Sequence, residues 1–275
     1  MQSATNKATA TVPVRYEALD GFRGVLALLV CLHHILVWNS LFLWSRYLHP
    51  ILDLFFLLSG FVLAMTYDTR IRNGRSFADF FVRRAGRLWP VHLCVLGVMV
   101  GLETIRAIRG YMFDRSDIVT FTGTKTLGSA VENFFLVQGW GYNKPFTWNV
   151  PSWTLSTELI AYALLGLILL STTRKSLRIA AALLLATGST ALLAYQTDFM
   201  RRAPNVNVAW CLQGFFFGYV LYHVWHRWPI ASRWWGTAAE VGLLVACTVM
   251  LSFKVTGFIM FVWLACAVAL LHALA

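Results

Sequence analysis

Arg23 and His34 stand eleven residues apart in the run Leu19-Asp20-Gly21-Phe22-Arg23-Gly24-Val25-Leu26-Ala27-Leu28-Leu29-Val30-Cys31-Leu32-His33-His34. Eleven helical steps of about 100° bring them to within roughly 20° of one face, about 16 Å apart along the axis. His33 falls roughly 80° away, so only His34 shares the arginine's stripe. A guanidinium and an imidazole on one face of a lipid-embedded helix are costly to bury and mark a functional site. The plain alternative is a pair of helix-end residues, with Arg23 snorkelling inward and His34 reaching the far headgroups.

Other apolar runs carry polar groups of the same kind. Asp53 opens Pro50-Ile51-Leu52-Asp53-Leu54-Phe55-Phe56-Leu57-Leu58-Ser59-Gly60-Phe61. A carboxylate one turn into a span needs a partner or water, or it caps the helix N-terminus, where its charge suits the dipole. Ser59-Gly60 reads first as a close-packing point. Arg84 and Arg87 lie one turn apart in Phe81-Val82-Arg83-Arg84-Ala85-Gly86-Arg87-Leu88-Trp89-Pro90. They are either ordinary inner-surface charge or planar forks that grip phosphate. Glu158, in Asn149-Val150-Pro151-Ser152-Trp153-Thr154-Leu155-Ser156-Thr157-Glu158, is the most deeply placed carboxylate, about two turns past the expected N-cap Ser152. His34, Asp53 and Glu158 all fall in the outer half of the membrane by this reading. A histidine oriented by a carboxylate is a general-base arrangement.

The elements that position these residues are membrane helices. Of 275 residues, 58% are hydrophobic and 13% charged, and mean hydropathy is +0.63. A soluble domain carries about a quarter charged residues. The chain reads as one all-α membrane domain over 1–275, with eight spans near 20–38, 50–67, 88–105, 152–171, 178–196, 208–225, 237–252 and 256–274. Residues 1–19 are a polar tail without a signal-peptide core. Residues 106–151 form a long loop whose apolar stretch Val131 to Trp140 is too short to span, and reads as a re-entrant or interfacial piece. With the N-terminus inside, thirteen Lys and Arg fall in inner segments and nine in outer ones, five of the nine in 106–151. That asymmetry sets a cytoplasmic N-terminus and an outer 106–151. It also accounts for the +11 net charge without nucleic-acid binding. The five cysteines form no CxxC pair and read as lipid-facing or buried thiols, with no metal site. Gly214 and Gly218 read as a small-xxx-small helix contact. His92 and His223 read as span-end residues, and Trp225, Trp228, Trp234 and Trp235 as an interfacial belt. The sequence stops at Ala275 inside an apolar run, which reads as a fragment.

Four segments, in order, resemble membrane-bound acyltransferase family 3, the O-acyltransferases that modify bacterial surface sugars. They are Leu19-Asp20-Gly21-Phe22-Arg23-Gly24 with His34, Asp53 to Phe61, Arg84-Ala85-Gly86-Arg87 with Trp89-Pro90, and Ser152 to Glu158, where Thr154 replaces a serine. The resemblance covers residues 15 to about 165 and implies a ten-helix bundle, two helices more than the eight expected here. It implies an inner-membrane, multi-pass enzyme with no bound cofactor, using acetyl-CoA or another acyl-CoA as co-substrate. The acceptor would be a carbohydrate hydroxyl on the outer side. His34, Glu158 and Asp53 would be catalytic, and Arg23, Arg84 and Arg87 would bind the donor, with Asp20, Ser59 and Trp153 in support. A proton-coupled transporter or flippase is the alternative, since it too places His, Glu and Arg in mid-membrane.

Overall fold

The computed structural model describes residues 24–28, 30, 32, 50–115, 117–141, 146–195 and 206–227. Helix α1 is seen at residues 24–28, 30 and 32. After it come α2 (Pro50–Tyr67), α3 (Gly74–Met112), α4 (Leu127–Phe134), a 3₁₀ turn (Val150–Ser152), α5 (Trp153–Ser171), α6 (Lys175–Tyr195) and α7 (Val206–Arg227). The described residues include no strand. Three helical stretches are long and apolar enough to cross a membrane: Gly74–Met112, Val150–Ser171 and Lys175–Tyr195; Leu52–Tyr67 is a shorter apolar helix. The expected spans 237–252 and 256–274, and most of 20–38, lie outside the described residues.

Helix α7 is the hub, packing along α2, α6 and α5. Its seam with α2 is built on glycine. A Cβ on Gly60 would lie 1.8 Å from the Phe215 carbonyl oxygen, and one on Gly218 would lie 1.9 Å from that of Leu57. Gly214 sits against Phe56 and the Asp53 backbone. The small-xxx-small reading of Gly214 and Gly218 is thus borne out, with Gly60 as the reciprocal notch. Leu26 of α1 is buried in a cluster with Leu54, Leu58 and Phe61 of α2 and Leu221 of α7.

Helix α3 contains the expected span 88–105 and extends well beyond it at both ends. It runs 39 residues, about 58 Å, nearly twice a bilayer core of about 30 Å. Its arginine-rich start is helical because Asn73 and Ser76 form a reciprocal capping box, which a search for apolar runs overlooks. Pro90 lies inside it and removes one backbone donor without ending the helix. At its far end, residues 106–112 belong to α3 rather than to a loop.

The remainder of 106–151 folds back along α3. Lys125 meets Glu103 at 3.7 Å, and further down α3 the indole of Trp89 and the ring of His92 reach the carbonyls of Phe134 and Asn133 at 2.8 and 2.7 Å. The indole meets a carbonyl in the last turn of α4; the imidazole adds to the Asn133 carbonyl, which already accepts from Leu136 N at 3.0 Å. His92 is therefore not a span-end residue; it is buried in mid-helix and clamps α4. Helix α4 turns polar Ser129 and Asn133 inward and leaves Leu127, Val131 and Phe134 exposed.

A second buried knot joins α2, α5, α6 and α7. Arg178 donates to the backbone carbonyls of Asp68, Leu169 and Thr172 at 2.7, 2.9 and 2.7 Å. Tyr219 donates to the Asp68 carboxylate at 2.5 Å, and His223 lies 3.6 Å from it. Burial pushes the Asp68 carboxyl up, but the nearby His223 ring, the hydrogen bond from Tyr219 and the charge of Arg178 outweigh it. The group sits below its ordinary value. His223, expected at a span end, is a buried member of this knot. Trp225 is partly buried and packs on Phe61 at 5.8 Å; Trp228, Trp234 and Trp235 lie outside the described residues.

Candidate functional site

Glu158 lies in the second turn of α5 and is 3% exposed. Its Oε1 accepts from the Ser59 hydroxyl of α2 at 2.7 Å. Its Oε2 accepts from the Tyr162 hydroxyl, one turn further along α5, at 3.0 Å. Both donors are buried. A carboxylate removed from water is tolerable only when its lone pairs are met, and here each oxygen has a hydroxyl. Among the described residues no lysine, arginine or histidine forms an ion pair with it. Ser59 therefore does more than mark a packing point. Tyr162 was missed by sequence reasoning, although its i+4 spacing from Glu158 places it on the same face.

Asp53 occupies a separate cluster. It lies in the first turn of α2, six residues before Ser59, or about 9 Å of helix rise. Its carboxylate accepts from the indole of Trp210 on α7. The Trp210 ring in turn lies 5.6 Å from that of Trp153, tilted by 34°, and Trp153 meets Phe56 edge-on at 6.1 Å. Trp153, expected in support, thus ties α5 to α2 and α7. Among the described residues Asp53 and Glu158 take different hydrogen-bond donors, Trp210 for the first and Ser59 and Tyr162 for the second.

Ser152 departs from its expected role. It makes no side-chain cap on α5. Its hydroxyl donates to the Asn149 carbonyl at 2.6 Å and accepts from Gln138 at 2.9 Å. Gly139 N donates to Ser156 Oγ, and the Trp140 indole to the Ser156 carbonyl, at 3.0 and 3.1 Å. The segment after α4 is thereby stitched to the first turns of α5. Leu136 and Trp148, with φ of 55° and 43°, hold it in a backbone conformation that costs bulky residues about 1–3 kcal/mol each.

Arg84 and Arg87 stand one turn apart on α3, Arg84 partly buried and Arg87 exposed. The Arg84 guanidinium lies over the Tyr67 ring, 5.2 Å from its centre. Tyr67 meets Phe80 at 4.7 Å and Phe80 meets Tyr162 at 6.1 Å, so an aromatic chain links the arginine to the Glu158 cluster. Asp20, Arg23 and His34 lie outside the described residues.

The sequence matches an acyltransferase domain family across residues 16–275. It is 32% identical over 161 residues to protein 2 in the picA locus of Rhizobium radiobacter, covering 55% of this chain and 81% of that protein. It is 29% identical over 160 residues to the acyltransferase MdmB of Streptomyces mycarofaciens, covering 54% of this chain and 38% of the relative. No solved structure matches it. With the family match spanning nearly the whole sequence, the chain belongs to the acyltransferase 3 family and carries an acyltransferase domain.

Proposed function

We propose that this chain is an integral-membrane O-acyltransferase. It moves an acyl group, acetyl by the family resemblance, from acyl-CoA on the cytoplasmic side to a carbohydrate hydroxyl on the outer side of the inner membrane. The observation that carries the reading is Glu158: a buried carboxylate in an apolar helix bundle, met by hydroxyls from two helices. A purely structural span has no use for so costly a group.

In this scheme Arg84 and Arg87, with Arg23, hold the phosphates of the donor. Arginine forks suit phosphate oxygens, and the excess of basic residues in the segments read as inner supports a donor side at that end. His34 takes the proton from the acceptor hydroxyl, whose oxygen attacks the thioester carbonyl. The carbon–sulfur bond breaks, and the proton passes to the departing thiolate. Glu158 or Asp53 orients the imidazole. The outward apolar face of α4, and its course along the apolar stretch of α3, support a re-entrant placement for residues 127–141.

The test uses inside-out vesicles supplied with radiolabelled acyl-CoA and a panel of sugar acceptors. Label should reach a sugar in wild type, vanish in His34→Ala, and survive in His33→Ala, since only His34 shares the Arg23 stripe. Equal loss in both variants, or full transfer by His34→Ala, refutes the assignment.

A further inference from the structure

We propose that the end of the bundle carrying Asp53, Trp210 and Trp140 is the acceptor subsite, shaped to take an uncharged sugar ring. This rests on the reading of the acceptor as a carbohydrate, and it names the residues that meet it. Sugar rings present apolar C–H faces and a rim of hydroxyls. Their recognition calls for flat aromatic surface beside amide and carboxylate groups.

Such groups are linked here through the first turns of α5. Trp210 donates its indole N–H to Asp53 and packs on Trp153. A Cβ on Gly139 would lie 2.9 Å from the Trp153 carbonyl oxygen, so the segment bearing Trp140 abuts the same turn of α5. Trp140 is 37% exposed and Trp210 partly exposed, leaving aromatic surface to meet a ring. A lipid-facing tryptophan belt is a poor account of this arrangement. Trp153 and Trp148 are 4% and 3% exposed. The indoles of Trp140, Trp148 and Trp210 all spend their N–H on protein acceptors, whereas belt residues aim it at the headgroups.

A second observation points to a ligand. Asn207, one turn before Trp210, is 7% exposed, and Gln138, bonded to Ser152, is 2% exposed. Each keeps one buried polar atom with no hydrogen-bond partner, Nδ2 of Asn207 and Oε1 of Gln138. Buried polar atoms left unmet are rare and call for an explanation. One is a donor and the other an acceptor, and the hydroxyl rim of a sugar offers partners for both roles.

The experiment uses the full chain in nanodiscs and saturation-transfer NMR with methyl glycosides of a hexose, a 6-deoxyhexose and an N-acetylhexosamine. At least one glycoside should show ring-proton saturation, reduced at least fivefold in both Asn207→Ala and Trp140→Ala. In acyl transfer the same variants should raise the acceptor KM tenfold or more and change the donor KM less than twofold. Trp210→Phe, which keeps a ring but loses the bond to Asp53, should fall between wild type and Trp140→Ala. Unchanged saturation and acceptor KM in the variants would overturn the subsite, as would no glycoside binding by a wild type that still consumes acyl-CoA. Variant-sensitive glycoside binding without any acyl transfer would support the subsite and refute the reaction proposed above.

Discussion

Replacing Tyr162 with phenylalanine removes one oxygen from the bundle core, and the structure sets the size of the effect. The phenol donates to Glu158 Oε2 at 3.0 Å, with both side chains buried. A hydrogen bond to a charged group contributes about 1.5–3 kcal/mol. At about 1.4 kcal/mol per factor of ten, that is roughly a 10- to 150-fold loss of turnover if the bond is kept in the transition state. Ser59→Ala, which frees Oε1 from a bond of 2.7 Å, should cost at least as much. The assay is steady-state transfer from radiolabelled acyl-CoA in proteoliposomes, normalised to inserted protein, with kcat and both KM values measured. The drop should fall on kcat and leave both KM values within about twofold, because neither hydroxyl is placed to bind donor or acceptor. Repeating Tyr162→Phe in a Glu158→Gln background separates positioning from packing. Groups that act as a unit are non-additive, so most of the effect should vanish there. An equal cost in both backgrounds would show that Tyr162 supports the fold and not the carboxylate.

Two further predictions concern the helices themselves. Gly60→Ala forces a methyl into the Phe215 carbonyl and should lower stability, tracked through the thermal midpoint in detergent, by at least the about 1–3 kcal/mol typical of overpacking. Gly97→Ala, with open space at its Cβ, should raise it by about 0.5–1 kcal/mol; shifts of the same sign contradict the seam. Arg84→Ala and Arg87→Ala should each weaken donor use tenfold to a hundredfold, about 1.5–3 kcal/mol, in donor titrations at fixed acceptor. Lysine should rescue position 84 less well than 87, because only Arg84 lies over a tyrosine ring; full rescue at both would return the pair to a topological role.

Much of the frame was legible in the sequence. Helix α2 begins and ends where the apolar run 50–67 does, and α5 starts one residue after its expected limit. Helix α7 extends two residues beyond 208–225 at each end, since hydropathy fades before backbone hydrogen bonding does. Helix α3 was misjudged for a different reason. Its first turns are polar, and only the Asn73 capping box signals that they are already helical. Within the site, Tyr162 could have been found by its spacing from Glu158. Ser59 and Trp210 could not be assigned their partners, because those lie 99 and 157 residues away in sequence. Depth along separate spans says which residues share a level, and lateral packing decides which of them touch. Asp53 and Glu158, grouped by depth in the sequence, take their hydrogen bonds from different neighbours in the fold.

The glycine seam bears on how such an enzyme can move. Helices slide past one another by rearranging a layer of side chains, and at Gly60 and Gly218 that layer is missing, with backbone pressed on backbone. A shift of α2 against α7 by even part of a turn would drive carbonyl oxygens into α-carbons. Such a seam favours α2 and α7 moving as one beam, which would preserve the spacing of Ser59, Asp53 and Trp210. A gate into the bundle is better placed along its other walls. Helix α3 is suited to that part: of its 39 residues only Phe80, Ala85, His92, Leu96 and Glu103 are buried.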